Sequence, residues 1–157
     1  MPSPVGDLVI VASDRALRGV LWGDDVNEWK RAAIDRRAVS FEESDVVTQT
    51  ISQLDEYFTG DRRHFDLPVD PIGTEFQRMV WRSLPQIEYG STLSYSEQAA
   101  SLGRPSAVRA VASANGRNPI SIVIPCHRVI AASGSLGGFA GGLDAKNWLL
   151  NNEHEQK

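Results

Sequence analysis

The 157-residue sequence contains one cysteine, three histidines and two methionines. A single thiol excludes an internal disulfide, and His64, His127 and His154 are scattered, so neither CxxC nor HExxH zinc-ligand spacing is present. No metal and no cofactor are expected. Long hydrophobic runs are also missing: no window approaches the roughly 18 uninterrupted apolar residues of a membrane span. The N-terminus shows no basic segment leading into an apolar core and a small-residue cleavage site. These absences predict an intracellular, cytoplasmic protein without a membrane partner.

Positive charge is scarce in one half only. Residues 1–75 carry 8 Lys/Arg against 15 Asp/Glu, a net of −7, whereas residues 76–150 carry 7 against 3, a net of +4. The second half is therefore the part suited to a polyanion. With 41% hydrophobic and 23% charged residues, the chain falls in the globular range, long enough for one domain or for two small lobes sharing a core.

"DLVIVAS" and "ALRGVLW", separated by "SDR", predict a β-hairpin. "VVTQTISQLDEYFTG" places Val47, Ile51, Leu54 and Phe58 at helical spacing and stops at Gly60. "HFDLPVDPIG" reads as a last strand leading into a linker. These elements form an α/β lobe over residues 1–70 in which the sequence shows no chemistry.

Residues 71–157 have a different texture, with short helices and clear start signals. "TEFQ" at Thr74 is a capping box opening a helix with Phe76, Val80 and Leu84 on one face, ending near Pro85. "SYSE" at Ser94 is a second box, whose helix runs to Gly103. "RPSAVRAVASANG" restarts with Pro105 at a helix N-terminus and stops at Gly116. Two short helices joined by a tight turn containing glycine match a helix-turn-helix. The second helix is dominated by Ala and Ser with one cation, Arg109. Such a surface suits close, sequence-tolerant contact with DNA backbone, or else burial against a neighbouring element.

The lone Cys126 stands in "SIVIPCHRVIAASG", at the end of an apolar run. Pro125 before it favours a bend from which a side chain projects; His127 and Arg128 follow. A thiol needs a base and access to react, and adjacent residues in a strand point to opposite sides, so this spacing leaves both a nucleophile and an inert core cysteine open. "LGGFAGG" further on either lets backbone N–H groups approach a ligand or forms a plain surface turn.

Taken together, "GTEFQRMVW", "SYSEQAA", "ANGRNP", "IPCHRVI", "GSLGGFAGG" and "WLLNNE" closely resemble the O6-alkylguanine-DNA alkyltransferases. The match runs from about Gly73 to Glu153 in unbroken register, with weaker agreement over "SPVGDLVIVAS" and "QLDEYFTG". The resemblance implies an α/β (α+β) fold: a small sheet-plus-helix, ribonuclease-H-like N-terminal lobe, then a mainly helical domain with a helix-turn-helix. It implies single-use transfer of an alkyl group from O6-alkylguanine, and O4-alkylthymine, in double-stranded DNA to Cys126. It further implies a monomer with no obligate protein partner.

By the same resemblance, His127 accepts the thiol proton through a water and Glu153 orients the imidazole. Tyr95 assists base flipping and donates a proton toward N3, while Asn118 ties the recognition helix to the thiol segment. Arg109 fills the space the base vacates, and Ser94, Tyr95, Ala107, Ala110, Asn115 and Arg128 lie along the DNA. The carbonyls of Cys126 and Val129, the backbone of Gly138 and Ala140, and Phe139 form the base pocket. Three departures stand out. Phe139 occupies a position where many members have tyrosine, which bears on activity and on tolerance for larger alkyl groups. Glu75 replaces a common proline. The chain begins almost at "SPVG", so a trimmed first lobe is expected, without the cysteines of the zinc site some members carry there. The competing readings are a non-catalytic alkyltransferase-like lesion binder, a helix-turn-helix regulator and a hydrolytic Cys–His enzyme.

Overall fold

The structure, a computed structural model, describes residues 1–40, 42 and 44–157. Strands β1 (Leu8–Ala12) and β2 (Leu17–Trp22) form the antiparallel hairpin, with Val9 opposite Leu21 and Ile10 opposite Val20. A register shift at Val11/Ala12 leaves Arg18 without a partner across the ladder. Both faces of the hairpin are covered. Helix α1 (Val26–Arg31), started by the Asp25 cap, packs Trp29 and Ala32 against Val11 and Leu21. Helix α2 (Asp45–Thr59) packs on the other face, and ends at Gly60, whose φ of 86° places it in the left-handed region that closes a helix.

The buried face of α2 is set one residue off the predicted stripe. Leu54 is shared, but Val46, Thr50 and Tyr57 are buried where Val47, Ile51 and Phe58 were expected. Two polar groups shift the face inward because each has a partner there. The Thr50 hydroxyl donates to the Val46 carbonyl at 2.7 Å, and the Tyr57 hydroxyl donates to Glu153 at 2.8 Å. The strand expected in "HFDLPVDPIG" is reduced to an isolated bridge between Val69 and Leu17, since Pro68 has no N–H to offer a ladder.

Both capping boxes are present. Thr74 and Gln77 exchange bonds of 3.2 and 2.9 Å to start α3 (Glu75–Ser83). Ser94 and Glu97 do the same at 3.1 and 2.7 Å for α4 (Tyr95–Ser101). Glu75 sits in the first turn of α3, where a carboxylate is favourable beside the unpaired N–H groups. Helix α5 (Val108–Gly116) begins three residues later than Pro105, which lies in the turn before it. The buried amides of Gln98 and Asn115 join at 2.7 Å, and Gln98 also donates to Ser83 at 3.0 Å, so one polar chain fastens α3, α4 and α5. Strands β3 (Leu93–Ser94) and β4 (Val129–Ile130) pair in parallel, and α6 (Gly142–Glu155) closes the chain.

Residues of both halves share one core: Leu8, Leu17, Val20, Leu54 and Tyr57 pack in the same cluster as Val80, Leu84, Val111, Ile120 and Leu149. The second half is therefore built on the first. Among the described residues no helix is long and apolar enough to cross a membrane. Buried Trp81 links α3 to α5 by donating to the Ala114 carbonyl at 2.7 Å. Trp81→Phe is expected to lower unfolding free energy by about 2 kcal/mol through the lost bond and the smaller ring, measured by urea denaturation.

Candidate active site

The approach to Cys126 is wound, not extended. Ile122 adopts a φ of 71°, a left-handed conformation that costs a β-branched residue about 1–3 kcal/mol. The Val123 N–H donates to the Ser121 carbonyl at 2.8 Å, and the Cys126 N–H to the Ile124 carbonyl, also at 2.8 Å. This coiling places Cys126, His127 and Arg128 in a buried 3₁₀ turn.

Among the described residues the thiol has one direct side-chain partner. Asn118 Nδ2 donates to Cys126 Sγ at 3.2 Å and to the Ile124 carbonyl at 2.8 Å, while Asn118 Oδ1 accepts from the Ile120 N–H at 3.0 Å. Its backbone carbonyl accepts from Arg31 of α1. Burial pushes the Cys126 thiol up from its ordinary pKa, and the Asn118 bond with the positive charges of Lys146 and Arg31 opposes that rise. The group is a protonated thiol near neutral pH that needs a base.

His127 Nε2 lies 2.7 Å from Glu153 Oε1, and both side chains are fully buried. Burial lowers the imidazole pKa more than Glu153 raises it, with the Arg128 and Lys146 charges adding to the fall. The ring is neutral near pH 7. Its Nε2 carries the proton shared with Glu153, and Nδ1 is left as a buried acceptor with no hydrogen-bond partner among the described residues.

Glu153 itself is saturated. It accepts from Arg128 Nε and Nη2 at 2.9 and 3.0 Å, from the Tyr57 hydroxyl at 2.8 Å and from the Gly90 N–H at 3.1 Å. Burial alone would raise its carboxyl, but the bonds and charges of His127 and Arg128 outweigh it and hold the group well below the usual range.

Tyr95, Phe139 and Lys146 form the wall toward the glycine-rich loop. Lys146 Nζ donates to the Val129 carbonyl at 2.7 Å and to the Leu136 carbonyl, 5.8 Å from the Tyr95 ring centre and 5.9 Å from that of Phe139. Burial lowers its pKa to about 8. Gly137, at φ 70°, packs under Tyr95; a Cβ there would lie 2.8 Å from the tyrosine hydroxyl. Phe139 is half-buried against Trp22 of β2, Ala140 lies beside it, and Gly138 is exposed. The Val129 carbonyl, expected to bind the base, is shared with Lys146 and keeps one lone pair.

Two expectations for the DNA-facing set are overturned. Arg128 is buried under Glu153 and donates to the Ile87 carbonyl at 2.7 Å, and Asn115 is buried in the amide chain with Gln98. Arg128 bonds to Glu153 and Ile87, and the Asn115 amide N–H groups bond to Gln98 and the Val111 carbonyl, so both side chains turn inward. Arg109 and Ala110 are exposed on α5, with Ser94 and Ala107 partly so. Arg18, Arg31, Arg36, Arg37, Arg62 and Arg128 each lie against a carboxylate, whereas Arg104, Arg109 and Arg117 form no ion pair among the described residues. Tyr57, Arg31, Trp22 and Lys146 were missed by sequence reasoning, because the first three reach the site through contacts 87 to 99 positions away and Lys146 bonds to carbonyls 10 and 17 positions before it. No group of three or more His, Cys, Asp or Glu is placed to hold a metal among the described residues.

Residues 75–155 match the DNA-binding domain of 6-O-methylguanine DNA methyltransferase, and residues 1–71 match its ribonuclease-like domain. The chain belongs to the 6-O-methylguanine DNA methyltransferase family. The methylated-DNA–protein-cysteine methyltransferase of Mycolicibacterium paratuberculosis is 45% identical over 94% of this chain and 86% of its own length. The constitutive enzyme of Bacillus subtilis is 41% identical over 96% of this chain and 91% of its own. The crystal structure of the Mycobacterium tuberculosis family member in complex with DNA superposes with a TM-score of 0.87 at 38% identity, covering 99% of this chain and 91% of that one. The mixed α/β architecture is that of the methyltransferase family.

Tyr57→Phe tests the reach of the first lobe into this site. With one donor fewer, Glu153 is a stronger acceptor and the His127 pKa rises. Alkyl-transfer activity is then expected to begin falling in acid at a higher pH than in the wild type. Stability is expected to drop by about 1.5–3 kcal/mol, for a bond to a charged group. Rate–pH profiles and urea denaturation of the two proteins check both outcomes.

Proposed function

We propose that this methyltransferase repairs O6-alkylguanine in duplex DNA by taking the alkyl group onto Cys126, once per molecule. The observation that carries this reading is a buried thiol followed directly in the chain by a buried imidazole that is held through Nε2 by Glu153 and whose Nδ1 has no partner among the described residues. That arrangement is an activated nucleophile with an oriented base.

The alkylated oxygen is out of reach inside the base stack, so the nucleotide must be extruded. Arg109, exposed and unpaired on α5, takes the vacated space, and the small side chains of Ala107 and Ala110 allow close approach to the backbone. Arg104 and Arg117 flank this helix as further phosphate partners. In the pocket, Cys126 Sγ attacks the alkyl carbon as its proton passes to His127 Nδ1 through a water. The new S–C bond forms as the C–O6 bond breaks, and that electron pair stays with guanine. Tyr95, whose hydroxyl is kept protonated by burial and by the nearby thiol, donates toward N3 to meet the charge. Nothing in the site cleaves a thioether, so the reaction ends there.

Incubation with an oligonucleotide duplex containing O6-methylguanine is expected to add one methylene, roughly 14 Da by intact mass, and Cys126→Ser to add nothing. No gain with retained binding would indicate a non-catalytic lesion binder. Arg109→Ala is expected to slow reaction with duplex by about tenfold, or ~1.4 kcal/mol, while sparing reaction with the free base. Equal loss on both substrates would remove Arg109 from the extrusion step.

A further inference from the structure

The glycine-rich segment between Ser133 and Gly141 has no regular secondary structure, yet it must hold Phe139 at a set distance from Cys126. Trp22, at the end of β2 in the first lobe, is placed to do this. Its backbone N–H donates to Glu28 Oε2 at 2.9 Å, and its indole N–H donates to the hydroxyl of buried Ser121 at 3.0 Å. The ring is thereby immobilised before it meets the loop. One face lies so close to Gly141 that a Cβ there would come within 2.6 Å of three ring atoms. Phe139 packs against the same indole, with ring centres 5.3 Å apart and planes at 68°.

Ser121 opens the wound segment that leads to Cys126, so the indole spans the two walls of the pocket: the thiol segment through its N–H and the loop through its ring. The same Glu28 that accepts from Trp22 also holds Arg31 at 2.8 Å, and Arg31 donates to the Asn118 carbonyl beside the thiol. One carboxylate of α1 thus holds two of the first lobe's contacts with the pocket.

We infer that Trp22 is a positioning residue of the alkyl-transfer site, holding Phe139 and the glycine-rich loop against the thiol segment and so setting the room for the alkyl group. This rests on the function proposed above. A methyl group gains most from a closely set wall, because small displacements at a reacting centre cost up to about a hundredfold in rate. A bulky aromatic alkyl group makes its own contacts and tolerates a looser one.

The test measures alkyl-transfer rate constants by intact mass on duplexes containing O6-methylguanine and O6-benzylguanine. Trp22→Ala is expected to slow methyl transfer by about tenfold and benzyl transfer by less than about threefold. Trp22→Phe, which keeps a ring against Gly141 and Phe139, is expected to restore most of the methyl rate. Phe139→Ala is expected to shift the ratio the same way, and the double variant Trp22→Ala/Phe139→Ala to add nothing further. Ser121→Ala, which removes only the indole's acceptor, shifts the ratio by about twofold and serves if Trp22→Ala does not fold. Equal slowing of both substrates, an unchanged ratio or additive losses overturn the inference. A wild-type protein that gains no mass from either duplex overturns the proposed function and this inference with it. A reactive wild type whose Trp22→Ala and Ser121→Ala variants behave identically to it overturns this inference alone.

Discussion

The buried carboxylate of Glu153 is the point on which the site depends. Desolvating such a charge costs several kcal/mol, and the cost is met only when opposite charge and hydrogen-bond donors surround it. Arg128 supplies the charge through two bonds, and Tyr57, Gly90 and His127 fill the remaining lone pairs. Of these donors Tyr57 of α2 belongs to the first lobe and the others to the second, so separating the lobes would strip one hydrogen bond from a carboxylate that Arg128 still neutralises. One ion organises packing and chemistry together.

Burial keeps the neighbouring imidazole uncharged, and Arg128 adds to that effect. An isolated carboxylate beside a buried imidazole would draw a proton onto it, whereas a carboxylate already neutralised by a guanidinium holds the ring by a hydrogen bond and leaves it uncharged. In the proposed mechanism, His127 is thus ready to accept a proton when the thiol must lose one. The thiol, raised by burial and partly relieved by Asn118, Lys146 and Arg31, stays protonated until a substrate arrives. A reagent that is used once gains from not reacting early.

What could be read from the sequence was what local spacing determines. The hairpin, both capping boxes, the end of α2 at Gly60 and the two helices around Gly103 depend on residues a few positions apart, and the structure has them. The resemblance named the thiol, imidazole and carboxylate in their motifs. What could not be read depends on distant pairing. Tyr57 looks like a core aromatic until Glu153 is brought to it, and Lys146 looks like a surface cation until its carbonyl partners fold over it. The resemblance placed Arg128 along the DNA, but a buried carboxylate claims it. Asn115 went the same way to Gln98. The short helix α1 and the left-handed turn at Ile122 left no periodic signal. The first lobe, in which the sequence shows no chemistry, supplies Tyr57, Trp22 and Arg31 to the site.

The account requires His127 to be a neutral imidazole with its proton on Nε2 and a free lone pair on Nδ1. Nitrogen-15 chemical shifts of the histidine ring in the intact protein at pH 7 report this directly. The account predicts a protonated-type shift at Nε2 and an unprotonated one at Nδ1, changing together only in acid, below the ordinary histidine pKa of about 6.5. A proton on Nδ1, or a doubly protonated ring at pH 7, would contradict it.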